Sequence, residues 1–294
     1  MIKKAKVITM LMFVFIMFSV PGFSGRCSTK YPIVLAHGMG ASAEILGIVD
    51  YWWKIPDALR ANGAKVYITS VNGMDSTRNK ALEFKRQVLE ILAISGAQKV
   101  NIIGHSHGTI YSRDAISNLG LAPYVASWTS ICGPHRGSSV ADLIMYNTPD
   151  FIRDILGDSL DFIYAYIFGD TNPDSVQNGY DLCTDYMKNV FNPNTPNMPG
   201  IYYQSYASKI KWAAPTLVLE PTWLYLLAKE GANDGLVSVE SAKWGNFRGV
   251  VSGAWWSPGV DHINMIGHFF GITPGFDAQD FYVTLVEDLK NRGY

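Results

Sequence analysis

Up to Cys132, apolar and polar positions alternate along the chain in two rhythms. Lys30–Ala36 is a short apolar run, read as a strand. Asp50–Ala61 then carries Tyr51, Trp52, Ile55 and Leu59 at helical spacing, and Asn62-Gly63 ends it. Ala64–Ser70 is a second strand. Asn79–Ser95 is a long amphipathic helix bearing Leu82, Phe84, Val88, Leu89, Ile91 and Leu92. Lys99–Gly104 is again an apolar run, Thr109–Leu119 returns to helical spacing, and Tyr124–Cys132 is a further strand. Strands alternating with helices predict an α/β fold, a parallel sheet with helices on both faces. Ligands of such sheets sit beyond the carboxyl ends of the strands.

After Cys132 the rhythm changes. Asp142–Asp170 has apolar and aromatic residues on several faces, among them Leu143, Ile144, Phe151, Ile152, Phe162 and Tyr166. Two readings stand: a buried helical pair, or a mobile helical cap over a site. Asn172–Pro199 is rich in Asn and Pro and reads as loop with one helix near Asp181–Phe191. Gly200–Ser205 and Thr216–Leu219 are expected strands, Asn246–Trp256 is expected to hold the last one, and Asp277–Asn291 is the final helix. Neither an internal repeat nor a dividing linker is visible, so 25–294 is expected to be a single domain.

The first 24 residues form a separate segment. Lys3, Lys4 and Lys6 precede 14 nearly unbroken apolar residues, Val7–Val20, which Pro21-Gly22 terminates. This is the pattern of a secretory signal peptide, with Gly22-Phe23-Ser24 as the cleavage site. A membrane anchor fits poorly, because the run is short for a hydrocarbon core of about 30 Å. The expectation is a secreted protein. The 294 residues are 48% hydrophobic and 17% charged, with a net charge of −1, and no Lys/Arg-rich run offers a nucleic-acid surface. Cys27, Cys132 and Cys183 are an odd number of cysteines, too few for a disulfide framework. One pair is conceivable, with Cys132 better read as a buried small hydrophobe. No Cys/His spacing resembles a zinc site.

Candidate chemistry begins at Gly104-His105-Ser106-His107-Gly108. The pattern Gly-x-Ser-x-Gly between a strand and a helix is a nucleophile elbow: the sharp turn lifts a serine hydroxyl clear of the sheet, and the crowding admits only glycine two positions to either side. A serine nucleophile needs a base and an acid to orient that base. Of the six histidines, His105 and His107 flank the serine and point away from Oγ. His262 follows the last expected strand, as the order Ser…Asp…His requires. Asp234, in an Asn-Asp-Gly turn expected after an earlier strand, is the preferred acid. Asp261 adjoins His262, and neighbouring side chains diverge. The backbone N–H groups of Met39, after the strand ending in His37-Gly38, and of His107 would form an oxyanion hole. Trp52 and Trp53 read as core residues rather than a lipid-touching pair.

Four segments in order, Tyr31-Pro-Ile-Val-Leu-Ala-His-Gly, Gly104-His-Ser-His-Gly, Gly133-Pro-His-Arg-Gly-Ser and Asn233-Asp-Gly-Leu-Val, resemble the secreted bacterial true lipases of the Pseudomonas, Burkholderia and Proteus type. The likeness runs from about Lys30 to Ala141, weakens through Asp142–Pro199, and returns near Asn233 and Asp261. The resemblance implies an α/β-hydrolase fold with a mostly parallel central sheet, and a helical lid over about Asp142–Asp170. It implies the triad Ser106, Asp234, His262 and the oxyanion donors Met39 and His107. It also implies hydrolysis of acylglycerol esters at a lipid–water interface. The family commonly carries a structural calcium near the catalytic histidine. Here the ligand positions hold Asn264 and His268, with Glu220 near the place of another aspartate, and an imidazole suits hard calcium poorly. The expectation is therefore chemistry that needs no metal or other cofactor. A disulfide known in some relatives is excluded because Glu240 holds the place of its second cysteine. Nothing in the residues speaks to a folding chaperone. The same triad would also serve a phospholipase, a lipid acyltransferase or a short-chain carboxylesterase. A non-catalytic lipid-binding protein on this fold would need neither Ser106 nor His262.

Overall fold

The computed structural model describes residues 25–39, 44–45, 49–147, 149–156, 173–268 and 271–294. The expected signal peptide and residues 157–172 of the expected lid lie outside the described residues. Six strands form one wholly parallel sheet: β1 (Ile33–Ala36), β2 (Val66–Ile68), β3 (Val100–His105), β4 (Val125–Ile131), β5 (Tyr202–Ser208) and β6 (Asn246–Val251), in the order β2-β1-β3-β4-β5-β6. The chain leaves β1 toward β2 and returns on its other side to β3. The strand order therefore reverses between β1 and β3, and a cleft opens beyond their carboxyl ends.

Burial on both faces explains why β1 has no polar position. Val34 and Ala36 join Ile102, Trp128, Phe84 and Ile116 beneath α2 (Thr77–Ser95) and α3 (His107–Asn118). Ile33 and Leu35 join Ile103, Ile131, Leu59 and Tyr282 beneath α1 (Ile55–Ala61). The C-terminal helix, Ala278–Asn291, packs on that same face. Each such side chain, fully withdrawn from water, stabilises the fold by about 2 kcal/mol. A third apolar cluster lies beyond the strand ends and includes Met39, Leu143, Ile152, Trp223, Leu236 and Ile263. The helices α4 (Ser139–Tyr146), α5 (Pro149–Leu156), α6 (Pro173–Tyr180) and α7 (Glu220–Lys229) lie in this region; the C-terminal helix is α8. In the described part of the expected lid, Leu143, Ile144 and Ile152 are buried while Tyr146 and Phe151 are exposed. Among the described residues, no helix is long and apolar enough to cross a membrane.

The elements differ from the sequence reading in places with a physical cause. The helix expected over Asp50–Ala61 begins only at Ile55, because Pro56 belongs in a first turn and Lys54 stands in the left-handed region at φ 55°. Thr216–Leu219 is no strand: Leu217–Leu219 is a single 3-10 turn running into α7. Pro215 and Pro221 bracket it and have no N–H for a ladder, while the Thr216 N–H is taken by Asp261 Oδ2 at 2.7 Å. The last strand stops at Val251 rather than Trp256. The helix near Asp181–Phe191 is one turn, Thr184–Tyr186, continued by a π-helical turn over Met187–Phe191. All three cysteines are buried and free, so no pair forms.

Candidate active site

Ser106 stands where β3 meets α3, with φ 54° and ψ −129°. Such a backbone is costly for any residue with a Cβ, and the surroundings hold it in place. Its N–H donates to the Ile131 carbonyl at 3.0 Å, and its carbonyl accepts from Thr109 Oγ1 at 2.7 Å. The two glycines of the pattern are needed for space. A Cβ on Gly108 would lie 2.1 Å from the Ala36 carbonyl oxygen, and one on Gly104 would lie 2.9 Å from the Gly108 carbonyl carbon. From the other side Gly38 closes on the serine: a Cβ there would lie 2.8 Å from Ser106 Cβ and 2.6 Å from the Tyr51 hydroxyl.

Asp234 is held by its own turn. Oδ1 accepts the N–H groups of Leu236 (3.0 Å) and Val237 (2.7 Å), and Asn233 Oδ1 accepts that of Gly235 (2.8 Å). Oδ2 is left to face His262 Nδ1 at 2.8 Å, with Ser208 Oγ donating to it at 3.3 Å. One oxygen fixes the carboxylate and the other orients the imidazole. With Nδ1–H directed at an anion, Nε2 is left as the basic nitrogen. The turn follows helix α7, not a strand as the sequence suggested. It reaches the sheet because Ile210, just past β5, donates to the Asn233 carbonyl at 2.9 Å. His262 N–H also donates to the Asp234 carbonyl at 2.9 Å.

Ser106 is tied to this pair through its neighbour. The His105 ring lies 4.6 Å from that of His262, and its Nε2–H donates to the His262 carbonyl at 3.1 Å. That fixes His105 Nδ1 as an acceptor, and the Tyr51 hydroxyl donates to it at 2.6 Å while itself accepting the Gly38 N–H at 2.8 Å. The Gly38 N–H is thereby committed, and Met39 is the next residue of this loop. Met39 and Ser106 line one apolar cavity of about 40 Å³, together with Val140, Leu182, Leu236 and Val237. His107 opens α3, so its N–H has no helical acceptor behind it.

Four other histidines, His37, His105, His107 and His135, are held neutral by burial. Burial lowers His37 to about 4, and its Nε2 accepts the Val71 N–H at 3.1 Å. Burial also pushes His105 and His107 well below the usual histidine range. Asp261, raised by burial, accepts the N–H groups of Thr216, Ile263 and Asn264, a clasp that shapes the loop carrying His262. Cys132 has φ 51°, and its Sγ lies 3.2 Å from Ser208 Oγ, behind the acid. Tyr51, Ser208, Cys132 and the relay role of His105 were not legible in the sequence, because each acts through the fold rather than through spacing.

The calcium positions are spent on the protein itself. Asn264 Nδ2 donates to the His268 carbonyl at 2.6 Å, and His268 Nε2 lies 3.2 Å from the Tyr51 carbonyl. Glu220 Oε2 accepts the Ala214 N–H at 2.6 Å. A hard cation needs six or more oxygens, and this set does not supply them.

The chain belongs to the α/β-hydrolase fold family, which matches residues 31–229. Among curated proteins it is similar to the triacylglycerol lipase of Vibrio cholerae, at 44% identity over 121 residues, 41% of this chain and 38% of that one. It is also similar to the triacylglycerol lipase of Pseudarthrobacter phenanthrenivorans, at 38% identity over 133 residues, 44% of this chain and 38% of that one. Triacylglycerol lipase 2 of Saccharomyces cerevisiae aligns over 84% of this chain and 75% of its own length, at 29% identity. The matched stretch spans only 34% to 38% of the first three curated relatives. In fold, the mature lipase of Bacillus licheniformis superposes with a TM-score of 0.68 at 22% identity, covering 89% of this chain and 93% of the other.

Proposed function

We propose that this chain is a serine ester hydrolase that cleaves acylglycerol esters. The observation that carries the reading is the 2.8 Å contact of His262 Nδ1 with Asp234 Oδ2, beside a serine held at φ 54°. Ser106 Oγ attacks the ester carbonyl while His262 Nε2 takes its proton. The carbonyl oxygen becomes an oxyanion facing the N–H groups of Met39 and His107. The imidazolium, stabilised by Asp234, then protonates the departing alcohol. Water, activated by the same nitrogen, attacks the acyl-enzyme and releases the acid, restoring Ser106. Each oxyanion donor contributes about 3 kcal/mol to such a step. The chemistry needs no metal or cofactor, and the four lipase-like segments and curated relatives support an acylglycerol substrate met at a lipid–water interface. The N-terminal pattern supports export. The chain from 25 to 294 is read as one domain with α4 and α5 in its lid.

The test is hydrolysis of a p-nitrophenyl ester and of emulsified tributyrin by the protein and by Ser106→Ala, with fluorophosphonate labelling alongside. Turnover and labelling should vanish in the variant, and a variant active at the parental rate defeats the reading. A second reading, a short-chain carboxylesterase, is favoured by the small volume of the cavity beside Ser106. Tributyrin cleaved in preference to triolein, with no rise in rate above the solubility limit, would select it.

A further inference from the structure

Lys80 lies in the first turn of α2 with 1% of its surface exposed. Its hydrogen-bond partners are neutral: His107 Nδ1 at 3.1 Å and Asn178 Oδ1 at 2.8 Å. A buried ammonium held by neutral partners is costly, and an apolar side chain of the same length would fill the space at less cost. Its place in the fold suggests what offsets that cost. Because Lys80 donates to His107 Nδ1, the other ring nitrogen must carry the hydrogen and donate to Thr77 Oγ1, at 2.7 Å. One turn of α2 therefore grips the imidazole from both sides. That imidazole belongs to the residue following Ser106, whose N–H points into the proposed oxyanion hole.

We propose that Lys80 is a positioning residue for acyl transfer at Ser106. It clamps His107, and with it the N–H of that residue, and its ammonium sets a buried positive charge behind the point where the oxyanion forms. The proposal rests on the reading of Ser106 as nucleophile. Charge developing in a dry site is stabilised by preorganised donors and dipoles that need not move as it forms. Asn178, on α6, links the same ammonium to the helices over the site.

The charged and titratable groups facing Lys80 are His37 from the loop after β1, His107 from α3, Asp181 after α6 and Asp75 before α2. The histidines are neutral. The carboxylates favour the ammonium but do not cancel the burial, which holds Lys80 well below the usual lysine range. Two consequences follow. A neutral amine keeps two hydrogens, enough for His107 and Asn178, so deprotonation removes the charge and leaves the clamp. A base whose folded pKa is depressed also costs stability at neutral pH, since the unfolded chain binds the proton more readily. Removing it relieves that cost but leaves His107 Nδ1 and Asn178 Oδ1 without this donor, so the role is read from kcat and oxyanion affinity rather than from stability.

Lys80→Met, which keeps length without donors or charge, should lower kcat on p-nitrophenyl butyrate about 10-fold to 100-fold. KM should stay within about threefold of the parent, since the lost interaction is made in the transition state. Affinity for a trifluoromethyl ketone, which forms an oxyanion on Ser106, should fall with kcat. The parent should lose kcat as pH rises, through a step that Lys80→Met lacks. Asn178→Leu, which removes an acceptor from the ammonium, should move that step to lower pH. A folded Lys80→Met with kcat and ketone affinity within about twofold of the parent overturns the proposal. So does a step unmoved by Asn178→Leu. A parent with no Ser106-dependent turnover overturns the reading of the site beneath it.

Discussion

His105 donates from Nε2 to the carbonyl oxygen of His262, 3.1 Å away, and this hydrogen bond decides the direction of a whole chain of donors. A carbonyl only accepts, so Nε2 carries the hydrogen and Nδ1 does not. Tyr51 must then donate to Nδ1, which turns its oxygen lone pairs toward the Gly38 N–H. The loop after β1, the residue before the nucleophile and the backbone of the base are joined without a charge. Burial that keeps His105 unprotonated preserves that direction, because a second ring hydrogen would take the Tyr51 oxygen as its acceptor and turn the hydroxyl hydrogen away from Nδ1.

Tyr51→Phe breaks this chain at its middle. It leaves the Gly38 N–H and His105 Nδ1 both buried without this partner, at a cost of about 1–3 kcal/mol for each orphaned group. The expected outcome is a lower Tm and kcat reduced about tenfold, with KM little changed, because Tyr51, Gly38 and His105 brace the backbone beside Ser106 and His262 and none of them lines the cavity. Steady-state kinetics together with thermal melts measure both. Unchanged kcat at a lowered Tm would make the chain structural only.

Acid should unfold the protein early. His37, His105, His107 and His135 are all held neutral by burial, His37 at about 4 against 6.5 when unfolded. Folded-state values below the unfolded ones mean that the unfolded chain binds more protons. Stability is therefore full above about pH 6.5 and falls as pH drops through the window below it. His37 alone removes about 3 kcal/mol by pH 4, and His105, His107 and His135 add losses of the same sign. Asp114 and Asp261, whose carboxyls burial raises, act with the opposite sign, but they are two against four. Circular dichroism melts from pH 7.5 to 4.5 should show the fold lost near pH 5. A flat Tm across that range contradicts the account.

Ser106 holds a backbone that suits glycine, at φ 54° and ψ −129°. Strain of this kind costs about 1–3 kcal/mol. Ser106→Gly should therefore abolish turnover and raise the unfolding free energy by about 1–2 kcal/mol relative to Ser106→Ala, which keeps the Cβ and the strain. Denaturant unfolding of the two inactive variants side by side gives the difference. Equal midpoints would mean that the elbow stores no strain.

Much of the fold was legible because β1 reads as an unbroken apolar run, and β3 and β4 carry apolar residues on both faces although Asn101, Ser127, Thr129 and Ser130 interrupt them. The helices between them show one-sided spacing. What misled was local chemistry. Thr216–Leu219 has the composition of a strand, but the prolines on either side remove ladder donors, and Asp261 captures the Thr216 N–H. The Asn233-Asp234-Gly235 turn was visible, yet the helix that precedes it was not distinguishable from a sheet segment by its apolar run. His105 and Lys80 were beyond reach for a different reason. Their partners, His262 and Asn178, lie 157 and 98 residues away in the chain, and no spacing rule connects them.

Removal of calcium should leave the protein unaffected. The residues where a calcium would be held are closed on each other: Glu220 on the Ala214 N–H, and Asn264 on the His268 carbonyl. The Asp261 carboxylate already receives three backbone hydrogens. Dialysis against EDTA should change neither Tm nor the rate on tributyrin. A fall in Tm restored by calcium but not magnesium would show that the loop opens to take the ion.

Chain-length preference should be set by the walls of the cavity beside Ser106. That cavity is about 40 Å³, and Leu182, Leu236 and Val237 close it together with Val140 and Met39. An apolar pocket discriminates between acyl chains at about 1–3 kcal/mol per methylene, so a wall moved by one side chain should register strongly. Leu182 is 8% exposed and follows α6, and its side chain takes no part in the hydrogen bonds of Asp234 and His262, so shortening it alters volume without breaking the proton path. Leu182→Ala should raise kcat/KM for p-nitrophenyl octanoate relative to butyrate by about tenfold or more, with butyrate turnover largely kept. Its stability should fall by about 2–3 kcal/mol, the cost of a large-to-small change where the space can fill with water or substrate. If the octanoate-to-butyrate ratio does not move, the acyl chain leaves Ser106 by another path, and the wall formed by Leu182 is not the acyl pocket.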